Sequence, residues 1–367
     1  MIKNKWYVVL DSKEVKKKPL GVKRLGEKMV FWRDSQGQVV CQIDKCCHRG
    51  AQLSIGKVVG DCIQCPFHGF LFDQKGQCTL VPANGKTAKI PKSFKVKTYP
   101  IQEKHGWIWL YWGEATEGQK LPELPFFDDI DDDFRYSTLQ SEWPVHYTRA
   151  VENQLDMMHL AFTHKRTIGF GNRCVIDGPP VEWIDEDTIR CYASARKENG
   201  VPAKKAREIG EIDIEDMDVH IEFRFPNIWQ NYIHEKMRVF AAFVPVDENT
   251  SITYVRNYQK FVTLPILGHL VDGINYLLSQ VIIREDKAHV ITQQPNYSEY
   301  GMDELLIAGD RPIVEFRRRR HELLQEQKEA TLEYQSILQT LKQKQDYTKA
   351  EEALEESIYH KTKDKAA

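Results

Sequence analysis

The chain has 367 residues, of which 41% are hydrophobic and 28% are charged, and its formal net charge is -2. This length suits two or three domains with substantial hydrophobic cores, and the small net charge gives no electrostatic basis for binding nucleic acid. The 8 cysteines lack the even spacing of a secreted disulfide framework, and no long apolar leader follows Met1, so we expect a cytoplasmic protein.

Residues 1–115 are predicted to form an all-β domain. Short runs of aromatic and β-branched residues are separated by turn-forming stretches, which is typical of strands joined by tight loops. The clearest runs are residues 6–10, 30–33, 39–43 and 106–112. Such loops are suited to holding a metal cluster at their tips.

Four residues of this region form a two-part pattern. Cys46-x-His48 is followed, after 16 residues, by Cys65-x-x-His68. Two thiolates suit one iron of a [2Fe–2S] cluster and two imidazoles suit the other iron, which is the ligand set of a Rieske centre. The second half also contains a proline and a glycine that can bend a loop around the cluster.

Two other metal sites compete for the same pattern. A zinc site could use the same four ligands, but the Cys-x-His arm does not match the usual spacing of zinc fingers. Cys41 and Cys46 have the spacing of a plant-type ferredoxin pair, but that pattern next requires a cysteine where Arg49 stands. Cys47 lies between two ligands and is predicted to face away from the cluster as a small hydrophobe.

Residues 116–135 are predicted to be an acidic linker. Pro122 and Pro125 are followed by an acid-rich run at residues 128–133. Such a run is more often a solvated segment than a metal or partner site.

Residues 136–325 are predicted to form a second domain with an antiparallel sheet flanked by helices. A helix is expected first, and the later segments alternate between apolar and polar residues as strands do. The expected elements are a helix at 145–164 and strands around 181–197, 217–232 and 237–261, with a turn at 247–250.

Asp156, His159 and His164 form a second candidate metal site. On the predicted helix, Asp156 and His159 are one turn apart and share a face, and His164 reaches the same point if the helix ends or bends nearby. Two imidazoles and one carboxylate make the facial triad of non-haem Fe(II) oxygenases, which leaves positions open for O₂. An amphipathic helix with two incidental histidines is the alternative, but the upstream pattern favours iron, because one site stores an electron and the other consumes electrons.

Residues 262–283 are the nearest approach to a membrane span. Polar residues interrupt the segment and its apolar residues recur at helical spacing, so we predict a buried amphipathic helix and no membrane contact. These apolar residues are Leu267, Leu270, Val271, Ile274, Leu278, Val281 and Ile282.

Residues 326–367 are predicted to be a charged helical tail, continuing a helical pattern that begins near residue 310 and runs to about 345. The run Arg317 to Arg320 could dock an acidic electron donor. Pairing with Glu322 and Glu326 on a solvated helix face is the more common role of such a run.

With both motifs present, the chain resembles the catalytic (alpha) subunits of Rieske non-haem iron oxygenases, the aromatic-ring-hydroxylating oxygenase family, over roughly residues 5–320. Phe70 stands where many members have Trp, and Phe67 excludes the extra disulfide of respiratory Rieske proteins. The resemblance implies that His159 and His164 are iron ligands. It also implies that Asp156 bridges the iron site to a cluster histidine of a neighbouring subunit.

The third iron ligand in this family is an acidic residue on a later helix, and Asp286 matches that place. Glu285 is adjacent but points about 100° away on a helix. His289 shares the face of Asp286 and is the more serious rival, although a role beside the iron rather than on it is the simpler interpretation.

The resemblance implies an α+β fold, with an N-terminal all-β Rieske domain, an antiparallel catalytic sheet flanked by helices, and a C-terminal helical tail. It implies an oxygenase component that uses O₂ and electrons from a separate NAD(P)H-dependent reductase, directly or through a ferredoxin. The reaction is hydroxylation or O- or N-demethylation of a small aromatic or cyclic substrate, by a homotrimer of the monooxygenase-like branch. The alternatives are a ring cis-dihydroxylating dioxygenase, a Rieske electron carrier without oxygenase activity, and a zinc-stabilised interaction protein.

Overall fold

The structure is a computed structural model that describes residues 1–115, 118–169, 173–192, 195–205, 219–262, 264–332, 335–336 and 339. Lys3–Arg318 form one compact unit. Its first part is built from strands and its second part from strands and a few helices, so the predicted α+β class is confirmed.

The N-terminal region contains three small sheets. Most of its strands pair with the next strand across a short turn, whereas β1 pairs with β11 and β4 with β9. The sheets have the strand orders β1-β11-β10, β2-β3-β4-β9 and β5-β6-β7-β8. The strands are β1 Lys5–Asp11, β2 Leu20–Arg24, β3 Glu27–Arg33, β4 Val39–Ile43, β5 Lys57–Val59, β6 Cys62–Gln64, β7 Leu71–Phe72, β8 Cys78–Leu80, β9 Thr98–Tyr99, β10 Ile101–Lys104 and β11 Trp107–Trp112, with 3-10 turns at Ser12–Glu14 and Pro82–Asn84.

The second region is built on a 7-stranded antiparallel sheet with the order β12-β20-β19-β18-β17-β15-β14, and β13 pairs with β16 beside it. The predicted turn at 247–250 joins β19 to β20, with the nitrogen of Asp247 donating to Thr250 O at 3.1 Å. The strands are β12 Arg135–Trp143, β13 Val175–Ile176, β14 Val181–Asp185, β15 Thr188–Tyr192, β16 Ala195–Arg196, β17 His220–Arg224, β18 Ile228–His234, β19 Met237–Pro245 and β20 Ser251–Gln259.

Helices lie at the ends of this region's sequence. They are α1 Tyr147–Leu155, α2 Leu160–Thr163, α3 Pro265–Val290 and α4 at 311–332, with a 3-10 turn at Ala308–Asp310. The remainder of the predicted tail beyond residue 332 lies outside the described residues, apart from residues 335–336 and 339.

Helix α3 buries the face opposite to the predicted one. Its buried positions are Gly268, Ser279, Ile283, Asp286 and Val290. The polar face packs inward because it bonds to the sheet: Asp272 pairs with Arg135 at 2.9 Å, and Ser279 Oγ accepts from Asn257 at 2.8 Å.

The apolar face of α3 is exposed in a single chain, so the prediction of a buried apolar stripe is wrong. Leu270 is 61% exposed and Leu278 is 52% exposed. Leu267, Ile274 and Val281 are exposed as well. By length and composition alone, Ile266–Val290 is the one described helix that could cross a membrane.

A buried arginine connects the N-terminal sheets to the 7-stranded sheet. Arg256 on β20 is fully buried, and its guanidinium donates to Asp11 at 2.8 Å and to the carbonyl of His105 at 2.9 Å. It also stacks 3.5 Å from the ring centre of Trp107. The rings of Tyr136 and Tyr258 also lie beside it. Trp107 and Tyr258 belong to a buried cluster that includes Phe126 and neighbours from the stretch predicted to be a linker.

Arg256→Met is expected to lower the free energy of unfolding by about 3–5 kcal/mol, because it leaves Asp11 as a buried, unpaired charge. Urea denaturation followed by circular dichroism measures this. Lys260→Met is the matched control: it breaks the part-exposed pair with Asp131 and is expected to cost far less, because water and salt screen that pair. Equal losses in the two variants would contradict the assigned role of Arg256.

The arginine run of α4 is divided between two roles. Arg317 is buried, and it donates to both Glu152, at 2.6 Å, and Glu304, at 2.6 Å. Arg319 lies near Glu322 and Glu326, as expected for a solvated helix face. A buried Arg317 is not available to dock an electron donor, so the alternative role for that residue is wrong.

Candidate metal centres

The two loops that carry the first motif have the same backbone design. In each loop the cysteine nitrogen donates across the loop, and a glycine nitrogen returns a bond to the cysteine carbonyl. These bonds are Cys46 N to Ala51 O at 2.8 Å, Cys65 N to Phe70 O at 2.8 Å, Gly50 N to Cys46 O at 3.0 Å and Gly69 N to Cys65 O at 3.0 Å. Both glycines have positive φ, 75° and 74°, which residues with a Cβ rarely adopt.

The loops bring the four predicted ligands together as two pairs. Cys46 and Cys65 are each 2% exposed. Burial raises the pKa of Cys46 to about 12, and hydrogen bonding with the thiol of Cys65 also raises it. The rings of His48 and His68 are exposed and their centres lie 4.6 Å apart.

This arrangement fits a [2Fe–2S] cluster. The buried thiol of Cys46, with its raised pKa, becomes a thiolate beside a metal cation. A Rieske cluster has one iron on the cysteine side and another on the histidine side. Phe70 stacks on His48 with the ring centres 4.9 Å apart and the planes parallel. Phe70, which stands where many members of the family have Trp, therefore still packs against a histidine of this centre.

Cys46→Ala is expected to abolish the visible [2Fe–2S] absorption, because the loop offers no second thiol that faces Cys65. Cys47 is exposed, so the prediction that it packs as a small hydrophobe is wrong, while its orientation away from the cluster stays a prediction. Cys47→Ala is therefore the matched control and should keep the full spectrum. Bleaching in Cys47→Ala with retention in Cys46→Ala would contradict the ligand assignment.

The chain breaks its helix at the second motif. A continuous helix over 145–164 is a wrong prediction, because α1 ends at Leu155 and Asp156 takes an extended conformation with ψ 122°. The carboxylate of Asp156 accepts from the nitrogen of Met158 at 2.6 Å, which closes a turn before α2. This break allows His159 and His164 to face one point although they lie five positions apart.

Asp286 of α3 reaches that point. Its Oδ1 lies 2.8 Å from His164 Nε2 and 3.4 Å from His159 Nε2. Ligand atoms of these three residues all lie within 4.8 Å of one another, and they form the one such group of three among the described residues. Two imidazole nitrogens and one carboxylate oxygen are the donor set of a facial triad, so the residues fit Fe(II). His289 is exposed and outside this group.

Each imidazole of the triad has a second carboxylate on its far side. His164 Nδ1 lies 2.8 Å from Glu285, and His159 Nδ1 lies 3.6 Å from Asp156. The latter distance exceeds that of a hydrogen bond, and His159 Nδ1 finds no other partner in the described part of the chain. Carboxylates in this position orient the ring and raise its basicity as a ligand.

The carboxylates and imidazoles of the site shift one another's pKa values in the directions expected from these distances. Burial lowers the pKa of His159, but Asp156 and Asp286 outweigh it and raise the pKa to about 9. Burial raises the pKa of Asp286, yet hydrogen bonds from His159 and His164 lower it well below its usual range. Two imidazoles thus converge on a carboxylate that is 1% exposed, and this donor set is suited to a metal ion.

Glu285 is the functional side chain that the sequence did not indicate. Helical spacing turns it about 100° from Asp286, but a histidine ring has nitrogens on two sides and fits between adjacent carboxylates. Glu285 also accepts from Thr167 Oγ1 at 2.8 Å. A Thr and a Glu in reach of one histidine are not recognisable from spacing, because they lie 118 positions apart.

A cavity of about 380 Å³ adjoins the triad. Its wall includes His159, Asp286, side chains of α3 and the inner face of β17 to β20. Most of the wall is apolar, and its size is in the range of small-molecule sites. The candidate iron position therefore lies at the edge of a space for an organic substrate.

Comparison with known families decides the classification. Residues 5–100 match the Rieske [2Fe-2S] domain, and residues 143–326, half of the chain, match the vanillate O-demethylase oxygenase C-terminal domain. The chain belongs to the Rieske oxygenase family. This confirms the predicted cofactors, a Rieske [2Fe–2S] cluster and a mononuclear non-haem iron, while the assignment of individual ligands stays a prediction.

Relatives of this Rieske oxygenase include the toluene-4-sulfonate monooxygenase iron-sulfur subunit TsaM1 of Comamonas testosteroni, 32% identical over 46% of this chain and 48% of that protein. The chain thus spans about half of the length of such relatives. Methylxanthine N1-demethylase NdmA of Pseudomonas putida is 27% identical over 91% of this chain and 92% of its own length.

Solved structures share the fold. NdmA of Pseudomonas putida with caffeine has a TM-score of 0.71 at 23% identity, covering 89% of this chain and 92% of that one. Dicamba monooxygenase bound to dicamba has a TM-score of 0.69 at 23% identity, covering 90% and 99%.

Proposed function

We propose that this Rieske oxygenase uses O₂ and electrons from a separate NAD(P)H-dependent reductase, directly or through a ferredoxin, to hydroxylate or O- or N-demethylate a small aromatic or cyclic substrate. The observation that carries the proposal is the convergence of His159, His164 and Asp286 at the wall of a largely apolar cavity. A Rieske electron carrier has no need of such a triad or cavity.

In this proposal, Cys46, Cys65, His48 and His68 hold the cluster, and the triad holds Fe(II). When bound, the iron supplies a site for reductive activation of O₂. His159 and His164 present Nε2 to it, and the carboxylates behind them fix the rings. The apolar wall excludes water and places the substrate next to the triad.

The proposed reaction has the stoichiometry of a monooxygenase. A substrate C–H, one O₂, two electrons and two protons give C–OH and one water. For a methoxy or N-methyl substrate, the hydroxymethyl product loses formaldehyde. TsaM1 is the iron-sulfur subunit of a monooxygenase system and NdmA is an N1-demethylase, and both support this reaction over cis-dihydroxylation.

We further propose a homotrimer in which a cluster histidine of one copy approaches Asp156 of the next. The exposed edges of His48 and His68 and the part-exposed Asp156, whose side chain is 24% exposed, support an inter-subunit path. Phe67, 58% exposed and beside His68, provides apolar contact area for a neighbour or a donor. Light scattering of the purified protein tests the assembly.

We propose a cytoplasmic location without a membrane span. Helix α3 supports this because its polar face bonds to the sheet and supplies Asp286, so it is part of the catalytic domain. The apolar face of α3, with Leu267, Leu270 and Leu278 exposed, supports contact with another protein surface. Cell fractionation without detergent tests the location.

The oxygenase reaction is tested with protein that contains iron and sulfide, supplied with a flavin reductase, NADH and a panel of methoxy- and N-methyl-aromatic compounds. We expect substrate-dependent O₂ uptake and formaldehyde release. His164→Ala should keep the cluster spectrum and lose O₂ uptake. Products that carry both atoms of ¹⁸O₂ would instead identify a dioxygenase, and cluster reduction without any O₂ uptake would identify a carrier.

A further inference from the structure

The cavity beside the triad has a polar pattern of its own. Its floor is formed by two neighbouring cross-strand rows of the sheet. The pairing places Ile221, Asn231, Val239 and Asn257 in one row, and Trp229, Ala241 and Val255 in the other. All seven residues line the cavity. Asn231 and Trp229 belong to the same strand, two positions apart, so their side chains leave the same face.

These two residues hold polar atoms with no protein partner. Trp229 is 5% exposed and its Nε1–H is buried without an acceptor, and the Oδ1 of Asn231 is buried without a donor, among the described residues. By contrast, Asn257 Nδ2, also on the wall, donates to Ser279 Oγ at 2.8 Å. Buried polar groups are rarely left unpaired, so a donor and an acceptor here indicate a ligand that completes both bonds.

The charge of the wall indicates what kind of ligand this is. No Lys or Arg is among the described residues that line the cavity, whereas Asp156 and Asp286 are. With Fe(II) held by the triad, these two carboxylates balance its two positive charges. Among the described residues of the wall, an anionic substrate would therefore find no counter-charge, and burying an unpaired charge is strongly unfavourable.

We infer that this cavity selects an uncharged substrate with an amide-like edge, such as an aromatic amide, a lactam or a cyclic urea, and that Trp229 and Asn231 determine this specificity. An amide presents a carbonyl acceptor beside an N–H donor, which matches the Trp229 N–H and the Asn231 oxygen. A carboxylate offers acceptors only. The inference rests on the proposed oxygenase function for the placement of the substrate at the triad.

Three probes of nearly equal shape separate charge from hydrogen bonding: 4-methoxybenzamide, 4-methoxybenzoate and 4-methylanisole. Their affinities are measured by titration calorimetry with the metal-loaded protein, without O₂ or reductant, so that no turnover occurs. We expect the benzamide to bind about tenfold more tightly than 4-methylanisole, because it completes the buried bonds. The benzoate is expected to bind most weakly.

The variants Asn231→Leu and Trp229→Phe remove one bond each; Leu keeps the branched shape of Asn, and Phe keeps an aromatic ring in the place of Trp. Either is expected to weaken benzamide binding about tenfold and to leave the affinity for 4-methylanisole unchanged. Asn84→Leu, on the exposed 3-10 turn at Pro82–Asn84, is the matched control. Retention of the cluster spectrum establishes that each variant is folded, and if Trp229→Phe does not fold, Asn231→Leu decides.

Three outcomes overturn the inference: benzoate binding as tightly as the benzamide, equal binding of the benzamide and 4-methylanisole, or no binding of any probe at millimolar concentration. Failure of the oxygenase proposal is separate, because it appears as absent O₂ uptake in protein that still discriminates among the three probes.

Discussion

Asp286→Ala is expected to remove the mononuclear iron and all substrate-dependent O₂ uptake, while the visible spectrum of the cluster survives. Asp286 Oδ1 is the atom toward which both His159 Nε2 and His164 Nε2 point. Its loss leaves two neutral imidazoles, which hold Fe(II) weakly without a carboxylate. Metal analysis after dialysis and oxygen-electrode measurements record the two losses.

Two neighbours of Asp286 on α3 serve as comparisons. Glu285→Gln should retain the iron site but lose about 10- to 100-fold in iron affinity or activity, since Glu285 orients His164 from behind. His289→Ala should behave as the unmodified protein, because His289 is exposed. Iron loss in His289→Ala with activity retained in Asp286→Ala would transfer the third position to His289.

The cluster loops were predictable because their chemistry is local. Two cysteines and two histidines lie within two short loops, and each loop carries its own turn-forming glycine. Ligand type, order and loop length are all visible in the sequence. The same is true of His159 and His164, which lie on one short segment.

The rest of the iron site depends on contacts between distant segments. Helical spacing separates Glu285 from Asp286, but it cannot show that the ring of His164 lies between their carboxylates. The end of α1 at Asp156 follows from a side chain that accepts from Met158 N, and such a bond competes with helix hydrogen bonding. The pattern of apolar residues did not reveal these tertiary contacts.

Helix α3 shows the clearest limit of periodicity. An apolar stripe predicts which face of a helix is more stable when buried, but it does not show which part of the protein, or which partner, covers that face. Here the sheet bonds Asp272 and Ser279, so the polar face turns inward and the apolar face outward. The helical spacing is as predicted, but polar partners on β12 and β20 determine which face of α3 contacts the sheet.

Asp156→Asn is expected to leave both metals bound and the cluster reducible, while substrate turnover falls at least about tenfold, the scale for groups that support metal ligands. One carboxylate oxygen is occupied by Met158 N, and the other faces His159 Nδ1 at 3.6 Å. A carboxylate that accepts from imidazoles of both sites would link them by hydrogen bonds. Asparagine keeps the shape and removes the charge. Stopped-flow reduction of the cluster and single-turnover product yield separate electron entry from electron transfer.

Mixed trimers then distinguish a bridge between subunits from a local support of His159. A cluster-deficient Cys65→Ala chain and an iron-deficient His164→Ala chain, carrying different affinity tags, are co-assembled and purified through both tags. Partial activity is expected, because an intact cluster in one copy can then serve an intact iron site in its neighbour. Introducing Asp156→Asn into the chain that keeps its iron should abolish this recovered activity. If doubly tagged trimers stay inactive while unmodified trimers treated in the same way are active, electrons pass within one chain, and the role of Asp156 is limited to orienting His159.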